Sequence, residues 1–319
     1  MEKKGLITTA FISILLFSAL AGIAFVNLAK ADPMFFLPNI LIKSDGSIEP
    51  ETDVITRTGN VYSLTVDISG QYSIKIQCSN IVLDGAGHII NGTLLSSERG
   101  RWFSDGNGLS LEGVTNVTIR NIEITGFSDF DASLKNSHTC YFLKIKANDG
   151  VTLENSSSNL ITECNLAALT EAVQPGAYLT SSNNNKFYRN NITDLLLITS
   201  NNNIFFENNF VIDNFLSIGG NNLWDNGTVG NYWGDYLSKY PNASEIGNSR
   251  IGDTPYVMNS DNIDYYPLMA PFEVPPAPTP SPEPQPEAEP FPITLVLASV
   301  ITVVVIGTGL LVYFKKRSK

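Results

Sequence analysis

Three aromatic residues, Tyr188, Phe206 and Trp224, recur at intervals of 18 residues, and a charged residue follows each: Arg189, Glu207 and Asp225. If the chain stacks at that spacing, the rings form an outward strip flanked by carboxylates. Such a strip suits contact with the faces of sugar rings, or it is a patch that a loop or the C-terminal segment covers. The charged column, extended back to Glu163, also reads as a surface ladder that fixes register. Exposed pairs of this kind contribute only about 0–1 kcal/mol each. Hydrolysis of a glycoside needs two carboxylates roughly 5–10 Å apart in a cleft, and Glu207 with Asp225 is one pairing that stacking would create. No catalytic residue is assigned.

The spacing comes from a repeat. "NNKFYRNNI" (184–192) aligns with "NNIFFENNF" (202–210) at an offset of 18, and "NLWDNGTV" (222–229) follows at about the same step. Earlier copies are "NLITECNL" (159–166), "NVTIRNIEI" (116–124) and "NIVLDGAGHII" (80–90). Each unit is an asparagine, a short alternating apolar strand, a polar corner and another apolar residue. No helical period of 3.6 appears in the body, and the units are too short for paired helices. A parallel β-helix explains the pattern, with one rung per repeat and rungs about 4.8 Å apart. In this reading Ile161, Phe187, Phe205 and Leu223 stack inward, as do Leu166, Ile192 and Phe210. Thr162, Tyr188, Phe206 and Trp224 face outward. Asn190, Asn208 and Asn226 stack at a corner, beside Asn165, Asn191 and Asn209, where asparagine tolerates left-handed backbone and its amides can bond in a ladder.

Composition and the chain ends set the context. With 20 Lys+Arg against 31 Asp+Glu the net charge is −11, which argues against a nucleic-acid partner. "MEKK", an apolar run from Gly5 to Leu28 and "AKA" before Asp32 make residues 1–31 a signal peptide or an uncleaved anchor. Residues 293–314 are uninterruptedly apolar and precede "KKRSK" (315–319), so 291–314 is expected to be a transmembrane helix with a basic cytoplasmic tail. Between body and helix, 273–290 is an acidic proline-rich stalk. The body, 32–272, divides into an entry cap (44–93), rungs (94–229) and a closing module (230–272). In that module Trp233, Tyr232 and Tyr265 are expected to cover the last rung, because an open solenoid end invites strand pairing. Six Asn-x-Ser/Thr triplets, at Asn91, Asn116, Asn155, Asn191, Asn226 and Asn242, permit glycosylation of an exported chain. Cys78, Cys140 and Cys164 show no metal spacing. They read as small buried residues, with a Cys140–Cys164 disulfide open if the two lie on neighbouring rungs.

The same stretches resemble a known family: the right-handed parallel β-helix proteins grouped with NosD, a periplasmic copper-enzyme maturation factor, and related carbohydrate-associated β-helices, most of all their archaeal surface-protein branch. The resemblance is carried by residues 44–93, by the Asn-rich rungs, and by "GNYWGDY" (230–236) with "IGDTPYVMNSDNIDYYPLM" (251–269). It implies an all-β, single-stranded right-handed parallel β-helix. Relatives often carry an Asp/Gly-rich run suited to a hard cation between the two closing motifs. Here that run is "LSKYPNASEIGNSR", poor in carboxylates, so no Ca²⁺ site is expected, and Asp235, Asp253 and Asp264 read as turn and cap residues. His88, His138, the cysteines and Met34, Met258 and Met269 form no clustered copper pattern. No cofactor and no metal are expected. "DGAGH" (84–88) is a turn into a strand, not an active-site match to the polygalacturonase-like enzymes.

The functional expectation is a membrane-anchored extracellular β-helix that binds glycans or contacts the cell envelope without catalysis. Its partners would be an envelope or extracellular polysaccharide and, through the C-terminal helix, the membrane. The alternatives are a polysaccharide lyase or glycoside hydrolase on the same scaffold, or a purely structural or adhesive envelope component.

Overall fold

The structure, a computed structural model, describes residues 39–70, 73–92, 94–96, 100–102, 106–166 and 174–274, without the side chains of 94–96, 100–102 and 212–218. The signal segment, the stalk beyond residue 274 and the apolar run at 293–314 lie outside these residues. Among the described residues no helix is long and apolar enough to cross a membrane.

Short strands stack in parallel on three faces. On the first face Ile42, Ile76, Leu111, Leu134, Leu153, Leu179 and Leu197 lie in register, rung on rung. On the second, Tyr62, Leu83, Ile119, Phe142, Ile161, Phe187 and Phe205 form the matching column. On the third, Leu166, Ile192, Phe210 and Trp233 follow one another. All these side chains are buried. Alternation along each strand sends them inward and their neighbours outward. The result is a parallel β-helix whose bore is filled by like residues.

The period varies because corners, not strands, change length. Between faces three and one, Leu166 to Ala177 spans eleven residues, whereas on the next rung Ile192 to Leu195 spans three. One such change moves a predicted register. Residues 211 and 216 pair with 193 and 195, so the chain gains three residues there; from Leu197/Ile218 to Ile204/Leu223 it loses two. The offset on the second face becomes 18 + 3 − 2 = 19. Leu223 therefore lies over Ile204 and is 57% exposed, while Trp224, at 1%, continues the inner column. The sequence reading had these two reversed. Asp225 accordingly leaves the charged column, and Gly230 takes its place, accepting the Glu207 N–H at 2.6 Å.

The asparagines are the second correction. Asn190 and Asn208 are fully buried, and the next member of their column is Asn231, not the exposed Asn226. Two amide ladders climb the bore. One runs Asn159, Asn185, Asn203, Asn222. The other runs Asn190, Asn208, Asn231. In each, the backbone N–H and the Nδ2 of one asparagine both donate to Oδ1 of the next, at 2.8–3.1 Å. A second Nδ2 hydrogen goes to a backbone carbonyl one rung below, as from Asn208 to Phe187 at 3.0 Å. Every polar atom of the amide is thus satisfied without water, which a buried polar group requires. Left-handed backbone at the adjoining corner falls instead to Glu163, Arg189 and Glu207.

Both ladders begin on a cysteine and end on the closing hairpin. Cys140 N–H donates to Asn159 Oδ1 at 2.8 Å and Cys164 N–H to Asn190 Oδ1 at 2.9 Å. The two cysteines are free and head different ladders; Cys78 is also free. At the far end, Asn262 Oδ1 accepts from Asn222 N–H (3.2 Å) and Trp224 Nε1 (3.0 Å). Asp264 Oδ2 accepts from Asn231 N–H (2.7 Å) and Trp233 Nε1 (2.9 Å). The hairpin, Tyr256–Asn259 with Asn262–Asp264, so supplies a false next rung. Trp233 stacks on Phe210 at 4.6 Å and on Tyr256 at 4.3 Å, closing the bore. Tyr236 and Tyr256 are buried there; Tyr265, expected to help, is 58% exposed. At the opposite end Ile48–Glu49 and Ile55–Thr58 fold back antiparallel on Ile40–Ile42 and Val61–Leu64.

Candidate functional site

The outward column on face two holds Thr162, Tyr188 and Phe206 in register. Tyr188 and Phe206 lie ring on ring, 5.2 Å apart and 3° from parallel. Stacking along the solenoid axis turns their faces toward each other and leaves edges outward. Lys186 Nζ sits 5.2 Å from the Tyr188 ring centre and 4.9 Å from that of Phe206, which is 9% exposed. The Arg189 guanidinium bonds Glu207 at 2.8 Å and lies 5.0 Å from the ring of Phe272. That last segment is pinned by Asn209, which exchanges two 2.7 Å bonds with the backbone of Phe272. With Trp224 turned inward, the sugar-stacking strip of three rings does not form. What exists is a packed pair under lysine, with the C-terminal segment pinned beside it.

The carboxylates are engaged structurally. Glu207 holds Arg189, and hydrogen bonding to that carboxylate raises the guanidinium pKa. Asp225 accepts the Gly227 N–H (2.8 Å) on one oxygen and the Tyr265 N–H (3.2 Å) on the other. Asp235 accepts the Tyr256 hydroxyl, and Asp253 accepts Ser244 N–H and Oγ. Among the described residues no three His, Cys, Asp or Glu side chains gather as metal ligands.

Asp225 nevertheless reaches a site. Between the rung residues 221–225 and the closing hairpin lies an open groove of about 360 Å³. Leu223 and Tyr265, both more than half exposed, form its apolar floor, with Asp225, Asp261, Ser260 and Asn221 around it. A larger cleft, about 730 Å³, opens between Asn39–Leu41 and Gly106–Glu112, and no aromatic ring among the described residues lines it. Sequence reasoning missed the groove because the rung slip that exposes Leu223 depends on corner lengths. Tyr265 was visible only as a capping aromatic.

Asp131, Asp194 and Asp264 are buried. Asp264 accepts on Oδ1 from Tyr266 N–H and on Oδ2 from Asn231 and Trp233. Burial pushes its pKa up to about 7 against those donors. Asp131 accepts the Asp149 N–H at 2.8 Å on one oxygen, while its other oxygen has no hydrogen-bond partner among the described residues; burial pushes its pKa up to about 8.

The stacked parallel rungs place the chain in the class of parallel β-helix proteins. No family model matches the chain, and no curated protein matches it either. Among solved structures it is similar to QnrB1, a plasmid-mediated fluoroquinolone resistance protein, at 11% identity over 50% of this chain and 70% of that one, with a TM-score of 0.18. At that TM-score the likeness informs neither fold nor function.

Proposed function

We propose that this chain is an exported, membrane-anchored, non-catalytic β-helix that binds a carbohydrate in the groove beside its closing hairpin. The groove carries the reading: one exposed tyrosine and one exposed leucine beside two carboxylates, a hydroxyl and an amide. Apolar floors with a few converging polar groups are the common make-up of small-ligand sites. A sugar ring presents the complement, C–H faces for Tyr265 and Leu223 and hydroxyls for Asp225 and Asp261. The NosD-like and carbohydrate-associated resemblance, the signal-like start, the proline-rich stalk and the apolar run at 293–314 support the same reading. The resemblance to the archaeal surface-protein branch supports it as well.

The test is a glycan array with the full chain in detergent. Binding should appear, vanish in Tyr265→Ala/Leu223→Ser, and survive Tyr188→Ala, with unchanged melting for all. Loss in Tyr188→Ala alone would return the site to face two. Binding to no glycan would leave the structural or adhesive reading, and release of reducing or unsaturated ends from polysaccharide would make the chain an enzyme.

A further inference from the structure

The fold treats the Asn-x-Ser/Thr triplets unequally. Of the five whose three residues all lie among the described ones, three belong to rungs. Asn116 donates its amide to Asn80 Oδ1 at 3.0 Å and Asn155 to Asn136 Oδ1 at 2.6 Å, while Asn191 Oδ1 accepts from Asn209 at 2.7 Å. Their central residues, Val117, Ser156 and Ile192, are buried. Their backbones are tied to adjacent rungs: the N–H of Asn116 to His138, of Asn155 to Thr180 and of Asn191 to Cys164. A transferase that must draw the triplet into its own cleft would first have to open a core rung, which costs a large share of the global unfolding free energy.

Two triplets lie in exposed turns, one just before the closing module and one within it. Asn226, Gly227 and Thr228 are all exposed, and so are Asn242 and Ser244. Among the described residues neither Asn226 nor Asn242 has a partner for Nδ2. Asn226 Oδ1 accepts from Thr228 N–H (3.0 Å), Thr228 Oγ1 (2.7 Å) and Val229 N–H (3.0 Å). The hydroxyl that the triplet requires is thus already on the carboxamide, and the nitrogen is free. Gly227 has φ +87, a conformation open to glycine, so the turn is set by sequence.

We propose that Asn226 and Asn242 are N-glycosylation sites of this chain, and that Asn116, Asn155 and Asn191 are excluded by the fold. The inference rests on the export reading only for where the reaction takes place. The donor is a polyprenyl-diphosphate-linked oligosaccharide. The asparagine Nδ2 bonds to the anomeric carbon, the bond from that carbon to the diphosphate oxygen breaks, one amide proton passes to a base of the transferase, and the lipid diphosphate leaves.

The folded full chain in detergent, incubated with a purified single-subunit oligosaccharyltransferase that accepts plain Asn-x-Ser/Thr and with its lipid-linked donor, tests this directly. Mass-spectrometric mapping should find Asn226 and Asn242 occupied, and the three rung asparagines lower by more than about tenfold, because only opened rungs can react. Unfolded chain in the same assay should be modified at the rungs as well. Thr228→Ala should abolish occupancy at Asn226, and Thr228→Ser should keep it. Rung occupancy equal to that of the loops, or unmodified Asn226 and Asn242 in a folded chain whose unfolded form reacts, would overturn the proposal. Neither outcome depends on whether the groove binds sugar.

Discussion

The early and late rungs solve the same problem with different chemistry. In the column that becomes the second ladder, the early rungs place Ile122 and Ile145, both buried. Cys164 follows, and then Asn190, Asn208 and Asn231. The first ladder makes the same transition through Cys140. The inner column of face two changes in parallel, from Leu83 and Ile119 to Phe187, Phe205 and Trp224, with ring centres 5.1 and 4.6 Å apart. Aliphatic columns tolerate misregister, because one methyl group packs much like another. An amide ladder does not, since each Oδ1 serves two donors in the rung below. Cysteine is a fitting junction. Its backbone N–H can start the ladder while its small side chain still packs as an apolar group.

The sharpest way to break the comparison is to exchange the chemistries. Asn208→Leu would strand the Asn190 N–H, one Asn190 Nδ2 hydrogen and the Phe187 carbonyl, and would leave Asn231 Oδ1 only its backbone donor. At about 1–3 kcal/mol for each buried unsatisfied group, the loss should reach at least about 3 kcal/mol. Leu134→Ala, in an aliphatic column, should cost about 2–5 kcal/mol by cavity formation alone. Urea unfolding of both variants, with Leu134→Val as a graded control, measures the difference. A ladder variant no worse than Leu134→Val would mean that the amides are merely tolerated.

A smaller effect belongs to the ladder's end. Every ladder asparagine needs both donor and acceptor, but the terminal position needs only an acceptor, so a carboxyl can stand there. Asp264 ionises near 4 in an unfolded chain and at about 7 when folded. Between those values the folded state holds a proton that the unfolded state has lost. Stability from this group is therefore full below about pH 4, falls as pH rises to about 7, and then levels off. The decline is at most about 4 kcal/mol, three pK units at 1.36 each. Asp131 adds a decline of the same sign that extends to about pH 8. Asp264→Asn keeps an acceptor and should flatten the lower part of the curve, measured by urea midpoints from pH 4 to 9. An unaltered slope would mean that Asp264 does not contribute, leaving the dependence to Asp131 and Asp149, whose pKa burial also raises.

The contrast also explains what could be read from sequence. Strand positions and the inward aromatics Phe187, Phe205 and Phe210 were legible because alternation and an 18-residue offset are local signals. The asparagines were recognised as a stacked column, but their burial was not. From sequence a corner amide and a bore amide look alike, and only the Oδ1 bonds from the rung below separate them. Trp224 and Leu223 were exchanged because a three-residue gain at one corner and a two-residue loss at the next leave no local mark. The outward strip failed as a sugar platform for a reason that spacing cannot show: stacked rings use each other's faces.

Hydrogen exchange of the full chain carrying Asn262→Ala and Asp264→Ala tests most directly whether the closing hairpin holds the amide ladders in place. If it does, backbone amides of the ladder rungs, 185–233, should lose protection while those of 109–154 keep theirs. Equal loss along the solenoid, or none in the late rungs, would contradict the idea that these two side chains terminate and lock the ladders.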